Sequence, residues 1–246
     1  MAKSKVVYRY KKPWWKKRWD KIFFLLVLGL FFLLSPGQNT YFSQGVGPQE
    51  VIRRLPFTIP TPAPYPINIT GIVPSTDISA SGVVILDVAS GVYLYKRNEE
   101  ELLSPASTTK IMTALVALDH YSLDEVLTVQ DAANNGQTMK LVPGERMTME
   151  NLLYGALIHS ANDAAFTLAQ NYPGGVDKFV QAMNQKAVAL HLTNSHFTNS
   201  VGYDDVNHKM TPLDLARLAS IALLNPIITK MVAIPQITIS DVTHTY

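Results

Sequence analysis

Residues 105–114 read Pro-Ala-Ser-Thr-Thr-Lys-Ile-Met-Thr-Ala, and the interpretation of the whole chain starts from this stretch. After its first residue it contains neither proline nor glycine, and apolar residues follow at helical spacing as far as His120. We therefore predict a buried helix that begins around Pro105 to Ser107. Residues three apart share one face of a helix, so we expect the Lys110 amine to approach the Ser107 hydroxyl.

Ser107 and Lys110 have the residue types of a nucleophile and its general base. A serine in the first helical turn lies at the positive end of the helix dipole, which favours an oxyanion beside it. An ordinary lysine has a pKa near 10.4, so at pH 7 well under about one amine in a thousand is neutral. To act as a base, Lys110 needs a pKa of roughly 7–8, which requires a pocket that lowers it through burial and neighbouring groups. Because S-x-x-K arises by chance about once in a chain of this length, the pair needs a second motif beside it.

The second motif is Ser160-Ala161-Asn162, which lies between two predicted helices. A turn at this point can direct a hydroxyl and a carboxamide into the same cleft as Ser107. Ser160 is then a candidate proton relay, and Asn162 a candidate ligand for a substrate amide. Serine and asparagine are also preferred helix caps, so the triplet by itself fits a structural role equally well.

The chain from residue 79 onward mixes strands and helices, which favours an α+β fold over alternating β-α units. β-branched and aromatic residues flank a turn at Ser90 and Gly91, as is typical of a hairpin. The predicted strands are 82–88 and 92–95, with a strand-like segment at 237–242, and the further predicted helices are 149–158, 162–170, 176–190 and one that begins at Thr211 and ends before Asn225.

Charge and composition exclude several function classes. Residues 1–21 hold nine Lys or Arg and one acid, whereas the remaining residues hold 12 basic and 18 acidic ones, so the basic charge belongs to a tail. We expect no nucleic-acid partner. Without cysteine there is no disulfide and no thiolate nucleophile. The chain also contains no phosphate-binding, dinucleotide-binding or zinc-peptidase motif.

The N-terminus predicts export across a membrane. The apolar run from Ile22 to Leu34 is short for a spanning helix of about 20 residues but fits the core of a secretory signal of about 7–15 residues. Tryptophans just before it favour a membrane interface and an uncleaved anchor. We therefore divide the chain into a basic cytoplasmic tail (1–21), a signal peptide or signal anchor (22–36), a proline-rich stalk (37–78) and a catalytic domain (79–246).

Four blocks resemble the serine D-alanyl-D-alanine carboxypeptidases, the low-molecular-weight penicillin-binding proteins. The resemblance implies the transpeptidase fold of penicillin-binding proteins and β-lactamases, with an antiparallel sheet and a helical subdomain. It also implies the outer face of a bacterial cell membrane as the location, or a secreted or periplasmic protein if the signal is cleaved. The four blocks are residues 105–114, 160–165, 179–187 and 208–216.

The resemblance also implies a mechanism. Ser107 attacks the penultimate D-alanine carbonyl of a peptidoglycan stem peptide, and Lys110 takes its proton. Ser160 passes a proton to the departing D-alanine, Asn162 holds the substrate, and water then releases the shortened peptide from the acyl-enzyme. β-lactams acylate the same serine as covalent inhibitors. No metal and no organic cofactor are implied.

The family's third motif, K-T-G, is absent from the 246 residues. In the family its strand binds the substrate carboxylate, and an adjacent amide completes the oxyanion hole. Losing one such donor typically costs about 2.7–4 kcal/mol of transition-state stabilisation. We therefore expect a C-terminally truncated chain that lacks its last strands, labels weakly or not at all with penicillin and turns over poorly.

Two other functions compete with this interpretation. Class A β-lactamases use a glutamate downstream of the second motif, but Glu150 is the last glutamate in the chain, so a β-lactamase is disfavoured. A catalytically idle module that binds cell wall or β-lactams remains open because the third motif is missing. The sequence does not decide between a carboxypeptidase and an endopeptidase.

Overall fold

The computed structural model describes residues 16–34, 64, 66, 67, 69, 78–131, 133 and 135–240. The chain divides into two compact units, residues 1–61 and 62–246. In the first unit, helix α1 (Lys16–Leu34) contains the predicted apolar run, and its described large apolar side chains are exposed to solvent. Among the described helices, none alone has both the length and the hydropathy of a membrane span. One pair of consecutive helices, bent by 103° at the break between them, has the length and composition of a span when the two are taken together.

The second unit is an α+β domain, as the sequence predicts. Its described strands form two separate antiparallel pairs, β1 with β2 and β3 with β4. In chain order the elements are β1 (Val83–Asp87), β2 (Val92–Arg97), a 3-10 turn (Ala106–Thr108), α2 (Thr109–His120), β3 (Val126–Thr128), β4 (Arg146–Thr148), α3 (Met149–Ile158), α4 (Asn162–Gln170), α5 (Gly175–Ala189), α6 (Pro212–Ala222) and α7 (Pro226–Val232).

The predicted hairpin and helices are confirmed, with small shifts at their ends. Helices α3 and α4 have the predicted bounds, and α5 begins and ends one residue earlier. Helix α6 begins as predicted, because the Thr211 hydroxyl accepts the Asp214 amide at 3.1 Å and Pro212 occupies the first turn, where its missing N–H costs nothing.

The predicted strand at 237–242 is wrong over residues 237–239, which form no strand, and residues 241–242 lie outside the described residues. In this segment Ile239 is instead buried among the core side chains. Three elements were not predicted. Strands β3 and β4 have three residues each, too few for an alternating pattern, and α7 is a seven-residue helix that begins at Pro226.

Helix α2 occupies the centre of the second unit and packs against α3, α4, α5 and α6. Most of its residues are buried, including Met112, Leu115 and Val116. The first turn of this central helix carries Lys110, so the candidate base is anchored in the best-packed part of the domain. Phe179 on α5 and Leu168 on α4 are fully buried in the same core.

We predict that Phe179→Ala lowers the free energy of unfolding by about 3–5 kcal/mol, because the Phe179 side chain is fully buried and its removal leaves a cavity in the core. Val188 on the same helix is 76 % exposed, so Val188→Ala is the matched control and changes stability by about 0.5 kcal/mol or less. Urea titration measures both. Equal losses in the two variants would contradict the core assignment.

Candidate active site

Ser107 lies in the 3-10 turn that leads into α2, with its side chain exposed. Lys110 follows in the first turn of α2, three residues after Ser107, so the two side chains lie on the same face of the chain. The preceding Ala106 has a left-handed backbone, with φ of 47°. Such a conformation costs about 1–3 kcal/mol in a residue with a side chain and is typical of functional sites.

Lys110 lies beneath the serine and is 2 % exposed. Its Nζ donates to Ser107 Oγ at 3.1 Å, to Asn162 Oδ1 at 2.7 Å and to the Val201 carbonyl at 2.9 Å. Burial lowers the pKa of Lys110 from 10.5 to about 8. About one amine in ten is then neutral at pH 7, which brings the group close to the range that general-base catalysis requires.

Asn162 contacts Lys110, and both polar atoms of its carboxamide bind protein groups. Its Oδ1 accepts from Lys110, and its Nδ2 donates to the Asn135 carbonyl at 2.7 Å. Its backbone amide donates to the Gln137 carbonyl at 2.7 Å. Asn162 therefore orients the lysine, and its Nδ2 has a second N–H with which to contact a substrate.

Ser160 occupies the turn between α3 and α4 and is half-buried. Its backbone is left-handed, with φ of 57°, which is unusual for a residue other than glycine. Its side chain makes no hydrogen bond to any residue within the described ranges. The structure brings Ser107, Lys110 and Asn162 into direct contact, whereas Ser160 is linked to them through the chain at Ala161. Its role as a proton relay stays a prediction.

A segment that the sequence analysis did not single out completes the site. We call residues 198–203 the 198–203 loop. It supplies the Val201 carbonyl to Lys110, and Tyr203 donates its hydroxyl to the Asn135 carbonyl at 3.1 Å. Because Lys110 is bound here by a backbone oxygen, the sequence carries no side-chain signal for this contact.

His208 connects α2 to the 198–203 loop. Its Nδ1 accepts from the Thr198 amide at 3.0 Å, so Nδ1 carries no proton, and Nε2 donates to Thr109 Oγ1 at 2.8 Å. Burial lowers the pKa of His208 below its usual 6.5, opposed by the charge of Asp205. A neutral imidazole is therefore part of the scaffold next to Lys110.

Within the described ranges no three His, Cys, Asp or Glu side chains come together as a metal site would require. The polar groups around Ser107 are a hydroxyl, an amine, carboxamides and backbone carbonyls, a set suited to nucleophilic chemistry and proton transfer.

The fold corresponds to the DD-transpeptidase class of penicillin-binding folds. The structure of a D-alanyl-D-alanine carboxypeptidase from Mycobacterium tuberculosis H37Rv has a TM-score of 0.67 and 33 % identity, covering 74 % of this chain and 70 % of that one. The structure of the Streptomyces K15 DD-transpeptidase has a TM-score of 0.61 and 35 % identity, covering 65 % of this chain and 66 % of that one. The predicted fold class is thereby confirmed.

Residues 69–244 match the family profile described as D-alanyl-D-alanine carboxypeptidase, Peptidase_S11. The chain belongs to this family. It is 39 % identical over 158 residues to D-alanyl-D-alanine carboxypeptidase DacF of Bacillus subtilis, covering 61 % of this chain and 41 % of that protein. A D-alanyl-D-alanine endopeptidase of Pseudomonas aeruginosa is 34 % identical, and the match covers 67 % of this chain and 54 % of that protein. The chain thus spans about half the length of these curated relatives.

We predict that stability falls as the pH drops below about 6.5, partly because His208 is held neutral. Its pKa is lowered in the folded state, so the unfolded chain binds more protons in this range, and the contribution present above pH 6.5 is lost as the pH falls through the folded value. His208→Asn removes the ring. The variant is less stable at pH 7 but loses less stability between pH 7 and 5 in urea titrations. An unchanged slope would contradict this account.

Proposed function

We propose that this chain is a serine-type D-alanyl-D-alanine peptidase domain that forms an acyl-enzyme on Ser107. The observation that carries the proposal is an exposed hydroxyl held 3.1 Å above a buried amine. The neutral form of Lys110 accepts the hydroxyl proton as Oγ attacks a carbonyl carbon, and the amine becomes an ammonium. The three oxygen acceptors around Nζ stabilise that charge as it forms.

The leaving amine then needs a proton. Ser160, half-buried at the turn beside Asn162, relays it from the Lys110 ammonium, and the C–N bond breaks to leave the acyl group on Oγ. In the second step water attacks the ester carbonyl while Lys110 accepts its proton. The bond between the carbonyl carbon and Ser107 Oγ then breaks, and Lys110 returns the proton to Oγ. Asn162 keeps the ammonium of Lys110 directed toward the reacting atoms, and the second N–H of its Nδ2 donates to a substrate amide carbonyl.

The substrate class is a peptide that ends in, or is cross-linked through, D-alanyl-D-alanine, as in a peptidoglycan stem peptide. The family membership and the relatives' names support this class. Those names include carboxypeptidase, endopeptidase and transpeptidase, and all are compatible with attack on the same carbonyl. We propose carboxypeptidase activity, because the family is described by it. In a β-lactam the same attack opens the ring amide, and the acyl group stays on Ser107.

A second candidate is an idle module that binds cell wall or β-lactams without turnover. It is favoured by one observation, the absence of K-T-G from the 246 residues. Without the contacts that this motif makes in the family, we propose that acylation is slowed by about 10²–10³-fold. The two candidates differ in whether any covalent bond to Ser107 forms.

Incubation with a fluorescent penicillin, followed by peptide mass spectrometry, distinguishes them. We predict a slow adduct on Ser107 in the 246-residue chain and at least about a 100-fold loss of labelling in Ser107→Ala. Ser104→Ala is the matched control, because Ser104 is exposed three residues upstream and its hydroxyl accepts from Lys209, and it labels like the wild type.

Absence of any adduct in the wild type after hours at millimolar penicillin would reject the acylating enzyme and leave the binding module. Labelling that persists in Ser107→Ala would place the nucleophile elsewhere. Rapid turnover of a D-alanyl-D-alanine peptide would show that the K-T-G contacts are dispensable for this chain.

We also propose that the N-terminal segment directs the domain to the outer face of the cytoplasmic membrane. The net charge of +8 before the apolar run keeps residues 1–21 inside, and the apolar side chains of α1 enter the bilayer. A reporter active only outside the cytoplasm, fused after residue 50, is predicted to be active. Replacing the basic residues before Ile22 with serine lowers that activity, and a silent wild-type fusion would refute export.

A further inference from the structure

The 198–203 loop is attached to α2 at three successive points. The Thr198 amide reaches Thr109 through His208, the Ser200 carbonyl accepts from Thr113 Oγ1 at 2.6 Å, and the Val201 carbonyl accepts from Lys110. These residues of α2 lie on one face around the candidate base. These contacts fix the position of the loop relative to the helix that carries Lys110, so a displacement of either one disturbs the other.

Asn199 gives the loop its shape. Its Oδ1 accepts the amides of Val201, Gly202 and Tyr203 at 3.2, 2.7 and 2.9 Å, and its Nδ2 donates to the Tyr203 carbonyl at 3.0 Å. A single carboxamide thus satisfies the backbone of three consecutive residues. Because these amides turn toward Asn199, the Val201 carbonyl is free to point toward Lys110.

Gly202 allows the loop to pack closely against the backbone at the nucleophile. Its φ is +94°, and a Cβ at this position would overlap the carbonyl group of Ala106 and lie 3.0 Å from the Ser107 amide nitrogen. Only glycine allows this approach. The close contact is made to the same strained peptide that places Ser107 in its 3-10 turn. The loop consequently touches the base through Val201 and the nucleophile through Gly202.

We propose that the 198–203 loop is a positioning element for the reaction at Ser107, with Asn199 and Gly202 as the positioning residues that set its shape. The inference rests on the proposed acylation chemistry. The loop fixes the separation of hydroxyl and amine because it binds Nζ through the Val201 carbonyl and packs against the backbone at Ser107, and its contact with Nζ covers part of the amine. Displacing the loop separates the reacting groups and hydrates the amine.

The test compares two glycines in the 246-residue chain. Gly202→Ala introduces both backbone strain and the collision, whereas Gly144→Ala introduces strain alone, because Gly144 has φ of +91° and open space around its Cβ position. We expect penicillin acylation to fall at least about 10-fold in Gly202→Ala relative to Gly144→Ala. NMR titration of the Lys110 amine, with 15N-labelled lysine, is expected to show its pKa rising by about one pH unit or more in Gly202→Ala only.

A second pair covers the case in which Gly202→Ala does not fold. Asn199→Ala removes the carboxamide that holds the loop, and Asn225→Ala is its control, because Asn225 accepts two backbone amides at the start of α7. We expect faster amide exchange at Val201 and Tyr203, slower acylation and a raised Lys110 pKa in Asn199→Ala, and none of these in Asn225→Ala.

The two hypotheses fail separately. If the wild type is not acylated, the proposed function is rejected. The effect of the loop variants on the pKa of Lys110 then still tests whether the loop positions the amine. If the wild type is acylated but Gly202→Ala and Asn199→Ala acylate at its rate with an unchanged Lys110 pKa, the positioning role is overturned while the acylation chemistry stands.

Discussion

The structure depends on one constraint, the burial of a lysine amine inside a protein domain. Removing an ammonium from water is costly, and Lys110 compensates through oxygen acceptors contributed by Ser107, Asn162 and the Val201 carbonyl. Burial favours the neutral amine and lowers the pKa of Lys110 from 10.5 to about 8. A base in this range exchanges its proton readily near neutral pH.

The three acceptors come from three distant parts of the chain, so the site exists only in the folded domain. The apolar helices around α2 set the distances between these acceptors and the Lys110 amine, because α2 packs against α3, α4, α5 and α6 and most of its side chains are buried. Polar links such as Thr109 to His208 and Thr113 to Ser200 then fix the first turns of α2 against the 198–203 loop. Core packing and proton chemistry are thereby coupled through one helix.

Much of this architecture could be predicted from sequence. Helices with strong apolar periodicity and good caps, such as α3 and α6, have the predicted bounds or starts. The approach of Lys110 to Ser107 follows from their spacing. The 198–203 loop could not be predicted, because its contribution is a backbone carbonyl and a close approach of Gly202, neither of which leaves a periodic pattern. The left-handed backbone of Ser160 also depends on tertiary packing.

The central claim is that Lys110 is a buried amine with a depressed pKa in contact with Ser107. Its most direct test is a 15N NMR titration of the lysine amines in the wild-type protein without ligand, with the resonance assigned by Lys110→Met. The account predicts one amine that titrates near pH 8 and loses its signal in that variant. If Lys110 titrates near 10.5 with the surface lysines, the amine is solvated and the account is contradicted.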